Sequence, residues 1–248
     1  MIEKITSRQN AQVRRMKKLG TSSRFRADEG VFVCDGKKLL EEARLSGAAI
    51  ESVFVQDESE IAVSEFTGCT YIVPREIMEY MSALKTPQGV MFTCKIPKPR
   101  ETVGTRLILL DHLQDAGNIG TIIRAADAFG IDGLVLDGCA DPYNPKTVRA
   151  AMGSLFRVPL FSGELVQVIP KLKAANARVY AAVLSDSACD IRTVNLLKAS
   201  VVIGNEGAGV CHDVAALCEH IILPMAGRAE SLNASVAAGI IMWEMQKR

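Results

Sequence analysis

Short runs of β-branched and leucine-rich residues alternate along this chain with longer stretches whose apolar positions recur at helical spacing. From Arg106 onward the alternation predicts strands at 107–110, 133–136, 158–161, 178–183, 200–203 and 219–223. Between and after them it predicts helices at 118–129, 145–153, 163–174, 210–217 and 232–247. Short apolar strands separated by amphipathic helices predict an α/β fold whose mostly parallel sheet is covered on both faces. Ligands of such sheets bind beyond the carboxyl ends of the strands.

The residues before Arg106 repeat the alternation on a smaller scale. Residues 5–19 read as a helix, capped by Ser7 or Asn10, with its basic residues outward, and Gly20-Thr21-Ser22-Ser23 reads as a break. Strands are expected at 31–34, 50–55, 69–73 and 90–94. Helices are expected from Lys37 to Leu45, ending at Gly47, and at 58–66 and 74–82. The prolines of Lys95-Ile96-Pro97-Lys98-Pro99-Arg100 disfavour helix and favour an extended spacer. The predicted division is a smaller α/β unit over 1–96, a linker over 97–105 and a larger unit over 106–248.

Composition narrows the partners. With 48% apolar residues among 248, the chain has the material for a sizeable core. The net charge of +1 hides an uneven distribution: residues 1–38 carry ten basic side chains against four acidic ones. Such a basic end suits a polyanion, because neutralised phosphates release counterions; a solvated helix face is the plainer reading. Seven cysteines without a CxxC pair argue against a disulfide framework and for a reducing compartment. Cys211, His212, Cys218 and His220 raise the question of a metal, but one apolar helix face produces that spacing, and no metal is expected. The N-terminus has no signal-peptide core, and the apolar stretches are too short to span a bilayer. A cytoplasmic protein is expected.

Three blocks at predicted strand ends carry the candidate chemistry. Asn118-x-Gly120-x-x-x-Arg124 follows the first strand of the larger unit. Asn118 fits the cap of a helix, and Arg124 is within a turn of Asp127. Gly204-Asn205-Glu206-Gly207-Ala208-Gly209 follows Val201-Val202-Ile203. It lacks the spacing of a dinucleotide-binding loop and reads as a tight turn that also lets backbone approach a ligand. Within it, Glu206 either caps backbone N–H groups or orients a neighbouring side chain, and orientation is favoured. The third block runs Leu223-Pro224-Met225-Ala226-Gly227 and then Ser231-Leu232-Asn233, where Ser231 or Asn233 fits the cap of the last helix.

In this order and spacing the three blocks resemble the SpoU/TrmH family of RNA ribose 2'-O-methyltransferases. The resemblance implies a SPOUT domain with a deep trefoil knot, S-adenosylmethionine as methyl donor and a homodimer made through the last helix. It implies a catalytic role for Arg124, supported by Asn118, Glu206, Ser231 and Asn233, and a donor pocket walled by Gly204, Leu223, Met225 and Leu232. Ala234 departs from the family's common valine, at a position where backbone contacts matter more than the side chain. The segment Asp141-Pro142-Tyr143-Asn144-Pro145-Lys146-Thr147-Val148-Arg149, with Met152-Gly153-Ser154-Leu155-Phe156 after it, also resembles the family. Asn144, Arg149 and Ser154 are its candidate RNA contacts, against the plainer reading of a proline-flanked loop and surface helix. Phe32-Val33-Cys34-Asp35-Gly36-Lys37-Lys38-Leu39-Leu40-Glu41-Glu42-Ala43 is similar to the family's auxiliary domain, which is like ribosomal protein L30e. That domain implies ribosomal RNA over transfer RNA, with Lys37 and the basic Arg14 and Arg15 as further contacts. A noncatalytic RNA-binding or ribosome-assembly protein on the same scaffold is the alternative, and a nucleotide-binding enzyme unrelated to RNA is the third reading.

Overall fold

The computed structural model describes residues 2–56, 68–83, 87–98, 104–185 and 187–247. The chain forms two compact units, one of Met1–Lys98 with Tyr143–Phe156 and one of Pro99–Pro142 with Arg157–Arg248. The first unit contains β1 (Ile2–Lys4), α1 (Ala11–Thr21), α2 (Ser23–Glu29), β2 (Val31–Asp35) and α3 (Lys37–Leu45). It continues with β3 (Ile50–Val55), β4 (Cys69–Ile72), α4 (Arg75–Met81) and β5 (Val90–Lys95). Its sheet is mixed, in the order β1-β4-β3-β5-β2. The β1, β4 and β3 strands run parallel, while β5 is antiparallel to both β3 and β2. Met16, Leu19, Val33, Phe54 and Met78 meet in its core.

Two local expectations change. The opening segment is not helical from residue 5. Its first residues form β1 against β4, and α1 starts after Asn10, whose Oδ1 accepts from the Gln12 N–H at 2.8 Å. The Gly20–Ser23 stretch is not a break of any length. Helix α1 continues through Gly20 to Thr21, and Ser22 both ends it and caps α2 by accepting the Phe25 N–H. The helix expected at 58–66 lies outside the described residues.

The second unit is a seven-stranded parallel sheet. Its elements are β6 (Leu107–Asp111), α5 (Ala116–Ala128) and β7 (Gly133–Asp137), and then, past a segment that packs in the first unit as α6 (Pro145–Ala151), β8 (Leu160–Ser162). There follow α7 (Leu165–Ala174), β9 (Arg178–Ala182), β10 (Cys189–Asp190) and β11 (Ala199–Ile203). The chain then forms α8 (His212–Ala215), β12 (Glu219–Ile222) and α9 (Ala234–Glu244). The order β10-β12-β9-β11-β6-β7-β8 puts β11 and β6 side by side in the middle. Both are buried along their whole length, as strands covered on both faces must be. Among the described residues no helix is long and apolar enough to cross a membrane.

The segment Tyr143–Phe156 interrupts the second unit in sequence but belongs to the first in space. Its Tyr143 ring lies 4.9 Å from that of Phe32 and its Phe156 ring 6.3 Å from it. Ser154 is 5% exposed within the 3-10 turn Met152–Phe156, so burial removes this expected RNA contact from the surface. Arg15, also expected to face RNA, is instead held by Glu29 at 2.9 Å and by Glu51 at 2.9 Å and 3.3 Å. Burial works against its charge, but the two carboxylates outweigh it and raise its pKa. Arg14, Lys37 and Arg149 remain exposed, and Asn144 caps α6 by accepting the Lys146 N–H at 2.9 Å.

Candidate active site

The carboxyl ends of β6, β9, β11 and β12 lead into the loops that build the site. After β11 the chain closes on itself: Asn205 and Gly209 exchange backbone hydrogen bonds of 2.9 Å and 3.0 Å. The Asn205 Oδ1 then accepts the N–H groups of Gly207 and Ala208, at 2.9 Å and 3.1 Å. A side chain at Gly204 has no room, since its Cβ would stand 2.1 Å from the Gly209 carbonyl carbon. Here the glycine is required by a close backbone approach, while Gly209 supplies the positive φ, at 71°.

This loop holds the first block in place. The Glu206 carboxylate accepts the N–H of Gln114 at 3.3 Å, the N–H of Asp115 at 3.2 Å and the Asn118 Nδ2 at 3.1 Å. Partial burial pushes its pKa up, but these donors together with its own backbone N–H outweigh that and leave it lowered. Asn118 does not cap α5. Asp115 does, accepting the Asn118 N–H at 2.9 Å, and this frees the Asn118 amide for the loop. Asn118 Oδ1 in turn accepts from Asn233 Nδ2 at 3.0 Å. Asn233 caps α9, its Oδ1 accepting the Ser235 N–H at 2.9 Å. Glu206, Asn118 and Asn233 thus form one hydrogen-bonded chain that joins all three sequence blocks.

Around this chain opens a cavity of about 670 Å³, within the range of small-molecule sites. Its walls are the ends of β9, β11 and β12 with the loops after them, and the start of α9. Gly204, Glu206, Leu223, Met225, Ser231, Leu232 and Asn233 all line it. Neither Asn118 nor Arg124 is in the wall. Arg124 is exposed on α5, two turns beyond Asn118, and does not pair with Asp127. That carboxylate is taken by Arg157 at 2.8 Å. Arg124 makes no hydrogen bond or ion pair among the described residues.

Sequence reasoning missed a second set of supports. The buried Asp111 carboxylate accepts from His112 Nδ1 at 2.6 Å and from the Cys211 N–H at 2.7 Å, tying the end of β6 to the loop after β11. His112 sits at a φ of 57°, and its carbonyl accepts from Asn205 Nδ2 at 2.7 Å and Gln114 Nε2 at 3.1 Å. The Asp111 contact raises the His112 pKa, against a smaller opposing effect of burial. A lone Asp-His pair after a strand carries no local signal that it will face Asn205. The Cys211–His220 group resolves differently from one helix face: α8 spans only His212–Ala215, and Cys218 Sγ and His220 Nε2 contact the carbonyls of Val214 and Ala215. Among the described residues no group of three or more candidate ligands forms a metal site.

Comparison with known proteins agrees with this geometry. Residues 105–243 match the model of the SpoU rRNA Methylase family, and residues 10–91 match an MRM3-like substrate binding domain. The chain is 35% identical to the 23S rRNA (guanosine(2553)-2'-O)-methyltransferase RlmP of Bacillus subtilis, over 99% of this chain and 100% of that one. It superposes with a TM-score of 0.88 on an AdoMet-bound rRNA methyltransferase from Sinorhizobium meliloti, at 29% identity and covering 99% and 97% of the two chains. It superposes with a TM-score of 0.86 on the SpoU methyltransferase AviRb from Streptomyces viridochromogenes in complex with AdoMet, at 26% identity and 96% and 97% coverage. The seven-stranded parallel sheet and the loops at its carboxyl edge are thus those of a SPOUT methyltransferase, and the chain belongs to the SpoU rRNA methylase family.

Proposed function

We propose that this protein transfers a methyl group from S-adenosylmethionine to a ribose 2'-hydroxyl of ribosomal RNA. The observation that carries the reading is the Glu206–Asn118–Asn233 chain beside the 670 Å³ cavity, which draws three distant sequence blocks into one site. The residues fit the donor. Leu223 and Met225, just after β12, line the cavity, and the bare Cα of Gly204 lets the loop close tightly beside it. When bound, S-adenosylmethionine supplies an electrophilic methyl group, so the protein needs to align the attack and manage one proton. Glu206 fixes Asn118, and Asn118 fixes Asn233 at the start of α9, beside Ser231 on the cavity wall. A guanidinium is a poor proton acceptor, so Arg124 acts as a fixed positive charge toward the developing alkoxide.

The family's knot has local support: β11 lies between β9 and β6, and the chain after β12 lines the same cavity as the 204–210 loop before entering α9. A homodimer through α9 is supported by its Val236, Ile240 and Trp243, which are 50%, 38% and 58% exposed. Sedimentation at micromolar concentration is expected to show a dimer that Trp243→Lys weakens; a wild-type monomer throughout would remove this part of the proposal. Exposed Arg14, Lys37 and Arg149 supply positive charge for RNA, with Asn144 capping α6, the helix that carries Arg149.

The test is methyl transfer from labelled S-adenosylmethionine to ribosomal and transfer RNA, with product nucleosides separated by mass. Wild type is expected to yield a 2'-O-methylnucleoside from ribosomal RNA. Arg124→Ala should lower turnover by about 10²–10³-fold, the usual cost of removing a donor aimed at developing charge, while donor affinity holds. Product from transfer RNA alone would redirect the target. A failure to bind donor would leave an RNA-binding protein on the same scaffold.

A further inference from the structure

His112 follows the last residue of β6, at the carboxyl edge of the sheet, and does not line the donor cavity. Its side chain is 56% exposed, yet its ring is fixed: Nδ1 bonds at 2.6 Å to the Asp111 carboxylate, which is 1% exposed. Its Nε2 makes no hydrogen bond among the described residues. The backbone is held as firmly. At φ 57° it is in the left-handed region, uncommon for a residue other than glycine. Its N–H donates to the Asp137 carbonyl at 2.8 Å, and its carbonyl takes the Asn205 and Gln114 amides. The ring lies on Gly138, where a Cβ would stand 2.4 Å from Cδ2 and 2.5 Å from Nε2. Residues kept in sparsely populated conformations by their surroundings cluster at ligand sites, and this one keeps a polar atom open.

The position of the ring selects the ligand. The sheet order puts β6 between β11 and β7. The donor cavity lies on the β11 side, whereas Gly138 follows β7, so the imidazole leans away from the methyl donor. A group there meets the part of the RNA next to the reacting ribose rather than the 2'-hydroxyl itself. A buried carboxylate on Nδ1 favours the imidazolium, so Nε2 presents a charged N–H, the kind of donor that matches a phosphate oxygen.

We infer that His112, set by Asp111 and Gly138, hydrogen-bonds through Nε2 to a backbone phosphate of the RNA beside the methylated ribose. It is a positioning residue, since phosphate contacts fix the register of a strand without reading its sequence. The inference rests on the RNA reading above and assigns one contact within it. The contact titrates. The Asp111 hydrogen bond raises the His112 pKa, burial opposes this, and the charges of Asp111 and Asp137 add to it. Asp137 is itself engaged, accepting the Leu165 N–H at 2.8 Å. The neighbouring thiols stay neutral, because burial pushes Cys211 up and Cys139 to about 11. The phosphate contact is therefore fully present within and below the ordinary histidine range and is lost as pH rises through the raised value.

The experiment is filter binding of the full-length protein to deproteinised ribosomal RNA, from about pH 6 to about pH 9 and over a range of salt. Wild type is compared with His112→Asn, which tolerates the left-handed backbone, and with His112→Lys, whose charge does not titrate in this range. Wild-type affinity should fall about tenfold as pH rises, and His112→Asn should start about tenfold weaker and lose that fall. Its log–log salt slope should shrink by about 0.7, the share of one phosphate on a single strand. A merely structural role moves neither the pH profile nor the slope. His112→Lys should keep the slope and lose the pH dependence. A wild-type slope and pH profile in His112→Asn overturns the inference, as does unchanged affinity with a lower kcat, which would make the imidazole a proton acceptor. If His112→Asn does not fold, His112→Lys decides, and a wild-type pH profile in it overturns the inference. Methyl transfer measured in parallel separates the two readings. Transfer without an effect of His112 on binding spares the proposed function and sinks the contact, and the effect without transfer does the reverse. A wild type that binds no ribosomal RNA overturns both.

Discussion

In the first unit the Arg15 guanidinium meets Glu29 and Glu51; in the second, Glu206 meets Gln114, Asp115 and Asn118, which in turn meets Asn233. The groups are of similar kind, but what they hold differs. Arg15 ties α1, α2 and β3, elements that buried Met16, Leu19 and Phe54 already place. Partly exposed ion pairs of that sort add about 0–1 kcal/mol. Glu206 ties loops whose own residues are largely exposed, so no apolar packing substitutes for it. The same chemistry is therefore a small addition to stability in one unit and the determinant of site geometry in the other.

Substitutions can break or sharpen that contrast. The largest effect is expected at Gly204→Ala, whose Cβ meets backbone rather than a movable side chain. A displacement of the loop by about 1 Å is enough to cost about 10²-fold in methyl transfer. Unchanged transfer would show that the loop does not shape the cavity. Next is Glu206→Gln, which keeps the shape but loses charge-assisted bonds; methyl transfer should fall about tenfold with little change in melting temperature. A large loss of melting temperature would erase the distinction between the two networks.

That variant also sets the pH dependence. The folded pKa of Glu206 is depressed, so its contribution is fully present above the ordinary glutamate range and is lost as pH falls through the lower folded value. Wild-type donor binding should therefore persist through mildly acidic pH and decline only below that range, and Glu206→Gln should lack the Glu206-dependent part of the decline. The smallest effect is expected for Glu51→Gln: about 1 kcal/mol of stability by denaturant titration, with methyl transfer retained. Loss of transfer with stability intact would move the Arg15 cluster into the functional machinery.

The strands and helices that were legible are those with long, regular apolar spacing, such as 107–110, 178–183 and 200–203 against β6, β9 and β11. The misses are short or exposed. Ile2–Lys4 is exposed at every residue and becomes a strand only because β4 is beside it. The two-residue β10 exists only by pairing with β12. Helix α5 starts two residues before Asn118 because Asp115 takes the cap, a choice between two competent residues that local pattern does not resolve.

The sequence by itself determined the alternation of elements, the parallel sheet and the three blocks at strand ends, since side-chain periodicity and turn chemistry act over a few residues. Tertiary structure alone decided where each polar group found its partner. Asn118 and Asn233 are 115 residues apart, and Glu206 meets Asn118 across 88. Only the folded sheet brings such groups within 3.1 Å. It also decided that Ser154 is buried, that Arg15 is taken up by Glu29 and Glu51, and that Arg124 stays exposed, because burial and pairing are properties of the whole fold. A hydrogen bond needs two groups at one place, and a local pattern specifies only one of them.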